Sequence, residues 1–195
     1  VSDIVLVKDR DGNTYIPSIG VNTIGNMNPG QGYQVKMLNA RTLTYPANTS
    51  LAATVAAVGQ QMHENKTDTV PTWYYTNTGI NHTIVVPLAA NPTINGTPIS
   101  SGDYIGVFYD SSGTLACAGY QQWNGTSNIA VSAFGDDPLT TNKDGLSAGE
   151  LFKWKIYRSS DQQVFVASGT YVPPGGIVTD TSRYRTNGIS QLQSL

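Results

Sequence analysis

One cysteine, two histidines and little charge mark this chain of 195 residues. With Cys117 as the only cysteine, no intrachain disulfide can form, and stability must come from packing, hydrogen bonds or assembly. Cys117 lies between Ala116 and Ala118 in an apolar stretch, where a free thiol packs as a small inert hydrophobe. Charged residues make up 12%, against about a quarter in ordinary globular domains. The net charge of −2 leaves no electrostatic footprint for nucleic acid or an anionic membrane. No apolar run is long enough to span a bilayer, and no signal peptide or lipidation motif is present. The opening Ile4-Val5-Leu6-Val7 reads directly as a strand, which suggests a mature fragment or one repeat of a longer polypeptide.

Asn, Thr, Ser and Gly take the place of charge. Between residues 102 and 158, short apolar and aromatic runs alternate with Asp, Gly, Ser and Asn, the pattern of antiparallel strands joined by tight turns. Strands are expected at 72–76, 82–88, 103–109, 114–120, 128–134, 151–157 and 163–171. The expected turns fall at Asn95-Gly96, Ser112-Gly113, Asn124-Gly125, Asp144-Gly145 and Ser160-Asp161. The fold class is therefore all-β, an antiparallel β-sandwich of about seven to nine strands.

A smaller β-unit precedes it over 1–48, with strands at 3–8, 14–16, 33–38 and 43–45 and a turn at Asp11-Gly12-Asn13. Three or four strands in under fifty residues leave that sheet with an unprotected face and edge. Residues 49–70 read as a linker, 71–171 as the main sandwich, and 172–195 as a loop followed by an extended segment.

No stretch assembles a nucleophile, a base and an orienting group, so the expectation is that the chain is not an enzyme. His63 and His82 lack Cys or acidic partners at zinc-ligand spacing and read as solvated or capping residues. Asp9, Asp11 and Asn13 imitate the start of a calcium loop but lack its glycine position and closing Glu. Asp136, Asp137 and Asp144, with Glu150, form the densest acidic cluster, with two readings: Ca²⁺ ligands, or turn and capping residues. No other cofactor is expected. An aromatic set that includes Tyr109, Tyr120, Trp123 and Trp154 is either core or, at Trp123, Tyr120 and Tyr109, a platform for stacking sugar rings. Trp154, alternating with Phe152 and Ile156, reads as core.

Two stretches, NTIGNMNPGQGYQVKM (22–37) and GDYIGVFYDSSGTLACAGYQQW (102–123, continued by 134–158), resemble repeats of large secreted surface proteins of Bacteroidota exported by the type IX system. The close, from Asn187-Gly188-Ile189-Ser190 to Ser194-Leu195, resembles the end of such a repeat. The resemblance implies an extracellular or cell-surface β-domain, adhesin-like and without established catalysis. Repeats of this kind usually begin with a further strand carrying a Gly-Trp pair, which this chain does not contain at its start, so the resemblance implies that the sheet of residues 1–48 lacks a strand that another segment or subunit supplies. Asp68-Thr69-Val70 resembles an O-glycosylation acceptor of the same group, with Thr69 as the modified residue.

The expected function is a non-enzymatic structural or adhesive module, a repeat of a surface protein or a self-assembling fibre subunit. Its partners would be neighbouring repeats or copies of itself. In the fibre case, Tyr184, Ile189, Leu192 and Leu195 would form a strand donated to the incomplete edge of a neighbour. The alternative is a carbohydrate-binding module for extracellular polysaccharide.

Overall fold

The computed structural model describes residues 3–42, 44 and 71–195. Among these there is no α-helix, only 3-10 turns at Pro17–Ile19 and Leu88–Ala90, so no helix is long and apolar enough to cross a membrane.

The chain is all-β. Strands β1 (Ile4–Lys8), β2 (Thr14–Ile16), β3 (Val21–Asn22) and β4 (Gln34–Met37) form one sheet in the order β3-β2-β1-β4. After β5 (Asn81–Val86), the strands β6 (Thr93–Ile94) and β7 (Thr97–Pro98) make a small hairpin. Strands β8 (Tyr104–Ser111), β9 (Thr114–Gln122), β11 (Lys153–Arg158) and β12 (Gln163–Ala167) form a second sheet, ordered β12-β11-β8-β9. Between the two lies a third, ordered β10-β5-β14-β13, from β5, β10 (Ile129–Phe134), β13 (Thr170–Tyr171) and β14 (Ile189–Ser194).

The middle sheet is covered on both faces, and its sequence alternation sorts the side chains between two cores. Ile84 and Val86 of β5 pack with Ile105, Val107, Trp154 and Ile156. Val85, between them, packs instead with Val5, Leu6, Ile16 and Val21. All six residues of β5 are consequently buried. The first sheet thus packs directly on the middle sheet of the sandwich.

Local chemistry explains the turns. Asn95-Gly96 (φ 51°, 80°) and Ser112-Gly113 (φ 54°, 84°) have positive φ at both central positions, the type I′ geometry that matches strand twist. At the β1–β2 turn, the Asp9 carboxylate accepts the backbone N–H groups of Asp11 and Asn13, at 2.9 and 2.8 Å.

Several elements depart from the sequence expectation. Residues 72–76 form no strand: Trp73 lies across the outer face of the second sheet, edge-on to Phe108, Tyr120 and Tyr157. Gly106 leaves that space, since a Cβ there would sit 2.6 Å from the Trp73 ring. The run 163–171 is broken into β12 and β13, which belong to different sheets. The antiparallel pattern also has an exception, because β14 enters parallel to β5. Asp144-Gly145 is not a hairpin turn. Its glycine instead permits contact with Gly135, whose carbonyl carbon would lie 2.3 Å from an added Cβ.

That contact is backbone against backbone and cannot be relieved by a rotamer change. Gly145→Ala should therefore lower stability by about 1–3 kcal/mol, read as a drop in thermal midpoint against wild type.

Candidate functional site

Trp123 and Tyr109 do not form a sugar platform. Trp123 is 5% exposed and Tyr109 6%, and both belong to the main core. Although the Asn124-Gly125 turn follows it, Trp123 is held under the 100–103 loop: its N–H donates to Asp103 O, and its carbonyl accepts Gly102 N–H. Tyr109 donates to the Lys143 carbonyl beneath the Lys143 ammonium. Tyr120 alone of the three is half-buried, within a cluster with Trp73, Tyr75 and Tyr104.

That cluster borders a groove between the β1–β2 turn and the edge of the sandwich. Tyr75 stacks on Phe134 (centroids 5.2 Å apart, 11° between planes) and meets Tyr120 edge-on at 5.6 Å. Asp11, Asn13, Gln121 and Ser132 supply polar groups around a cavity of about 50 Å³. Burial raises the Tyr75 and Tyr120 hydroxyl pKa values, which keeps both as protonated donors. Tyr74, at 87% exposed, projects beside them. The Trp73-Tyr74-Tyr75 run was the sequence signal for this place, but a reading as strand 72–76 hid it.

The acidic cluster forms a loop clasp. Asp136 accepts the Asp144 N–H, Asp144 accepts the Asp137 N–H and the Thr140 hydroxyl, and Asp137 accepts the Leu139 N–H. Burial works against ionised Glu150, but the Lys143 ammonium at 2.7 Å and the N–H groups of Asp110 and Ser147 outweigh it and hold its pKa below the usual value. Among the described residues no group of three or more His, Cys, Asp or Glu could hold a metal.

The segment expected as a strand donor is internal to its own fold. Tyr184 (3% exposed), Ile189, Leu192 and Leu195 are all buried, and β14 lies between β5 and β13. A strand so placed is not free for a neighbour, because removing it would open the middle sheet. Cys117 is the buried thiol expected, with a pKa pushed up to about 12 by burial. Thr69 and His63 lie outside the described residues.

Two buried polar contacts went unforeseen. His82, expected at the surface, is fully buried, with Nε2 2.9 Å from Ser190 Oγ and Nδ1 against the Arg185 backbone. This resembles a base beside a nucleophile. However, Ser190 is also fully buried and donates its proton to the Thr181 carbonyl, away from the imidazole. The second contact joins the outer and middle sheets. Lys8, 3% exposed on β1, donates from Nζ to Asn81 Oδ1 on β5 at 2.7 Å. Burial, reinforced by Lys36, pushes the Lys8 pKa down to about 8.

Burial pushes the His82 pKa down to about 4, so between there and its ordinary value near 6.5 the unfolded chain binds more protons than the folded one. Stability should fall by up to about 3 kcal/mol as pH drops through that window. His82→Gln should flatten this component, as read from urea denaturation of both proteins across the window. No family model, curated protein or solved structure matches the chain.

Proposed function

We propose that this chain is a non-enzymatic structural or adhesive β-module, placed at the cell surface or outside the cell, that associates edge to edge with neighbouring repeats or copies of itself. The observation that carries this reading is the sequence and exposure of β12, which ends the second sheet. Exposed strand edges are ordinarily blunted by charge, proline or a bulge. Strand β12 reads Gln-Val-Phe-Val-Ala, with none of these, and leaves Val166 82% and Val164 48% exposed. By register these valines stand beside Lys155 and Tyr157, so an incoming strand would meet an apolar and aromatic surface as well as free backbone groups. The first sheet ends in β4, where Val35 is also exposed. Two different edges on one chain favour head-to-tail contact, which propagates rather than closes. Low charge density and the resemblance to surface-protein repeats support the same reading.

Light scattering and negative-stain microscopy of the purified chain should detect assemblies, and Val164→Lys with Val166→Lys should return them to monomers at an unchanged melting temperature. Assemblies that persist in the folded double variant would rule out β12 as the joint.

A second reading, carbohydrate binding, is favoured by the groove at Tyr75 and Tyr120. Flat aromatic faces beside Asp11, Asn13 and Gln121 suit the C–H and hydroxyl surfaces of a sugar. On a glycan array, Tyr75→Ala should remove whatever binding the wild type shows. Equal binding by both proteins would place the sugar elsewhere.

A further inference from the structure

We propose that Lys8 and Asn81 are the two reactants of an intramolecular transamidation, which ties the outer sheet to the middle sheet by a side-chain amide bond. Lysine is almost never fully buried unless paired with an opposite charge. Here the ammonium is enclosed between β1 and β5, and its one hydrogen-bond partner among the described residues is the Asn81 side-chain oxygen at 2.7 Å. The charged groups acting on this contact are Lys36, which lowers the Lys8 pKa, and His82, itself held neutral by burial. Among the described residues no carboxylate is paired with it to hold the proton. An amine so placed is readily neutral and therefore nucleophilic.

The fold supplies the proximity. An amine held against a carboxamide in a closed interlayer has an effective concentration of order 10⁵–10⁸ M when aligned, and exclusion of water suppresses competing hydrolysis.

In the reaction, the neutral Lys8 Nζ adds to Asn81 Cγ, and the carbonyl π pair moves to Oδ1. One Nζ proton passes to Nδ2 within the tetrahedral intermediate. The Cγ–Nδ2 bond then breaks as the oxygen's electron pair re-forms the carbonyl, and ammonia leaves. The product is a secondary amide between Nζ and Cγ, with no change in oxidation state and no external reactant.

Intact-mass and tryptic-peptide spectra of the full chain, before and after prolonged incubation of the folded protein in mildly alkaline buffer, test this. The expected result is a species lighter by one ammonia, no tryptic cleavage after Lys8, and a branched peptide joining Lys8 to Asn81. Lys8→Met should retain the full mass. Loss of ammonia that persists in Lys8→Met would be succinimide formation at Asn81 and would overturn the proposal. So would a wild-type chain of unchanged mass that trypsin cleaves after Lys8. The wild-type peptide map decides the matter even if the variant does not fold.

Discussion

Burial of β5 on both faces is the constraint on which the rest of the structure depends. A strand in that position must satisfy two apolar surfaces with successive residues, and Ile84, Val85 and Val86 do so by alternation. Both of its backbone edges must also be paired. β10 takes one and β14 the other, so the chain must return from far downstream to complete a sheet begun near residue 81. Once those neighbours are in place, the outer sheet has a finished surface to pack on, and the β8–β12 sheet closes the opposite side.

Full burial also explains why polar residues inside this fold are so tightly specified. Water cannot compensate an unpaired group there. His82, Ser190, Lys8 and Asn81 each find a partner on another segment. The Asp136–Asp144 clasp does the same for a long loop, fixing backbone N–H groups that no strand pairs. These polar contacts hold segments in position.

The elements that could be read from the sequence are those set by local rules. Alternation located β1, β5, β8, β9, β10 and β11, and Asn-Gly and Ser-Gly pairs located the I′ turns. The main errors have tertiary causes. Residues 72–76 carry a strand-like aromatic run, but Gly106 provides a slot that holds Trp73 across a sheet instead of within one. Trp123 follows Gln121-Gln122 and precedes an Asn-Gly turn, which suggests exposure, yet the 100–103 loop folds over it. The tail was recognisably extended, but its parallel place beside β5 depends on a pairing more than a hundred residues away that periodicity does not encode. For the site, the aromatic cluster was visible as composition. Which ring faces a groove was decided by packing.

The parallel entry of β14 has a consequence for how the molecule is made. After β5 is synthesised, roughly a hundred more residues must emerge before β14 can pair with it, a delay of roughly 5–20 s at ordinary rates of synthesis. Throughout that interval an apolar strand, His-Thr-Ile-Val-Val, has one edge waiting for a partner. Few local contacts can shorten the wait, since the pairing is long-range and loop closure precedes any gain from it. The nascent chain is therefore exposed to capture by other chains at the strand that becomes the most protected in the finished fold, and a holding factor that binds short apolar strands would act at residues 81–86.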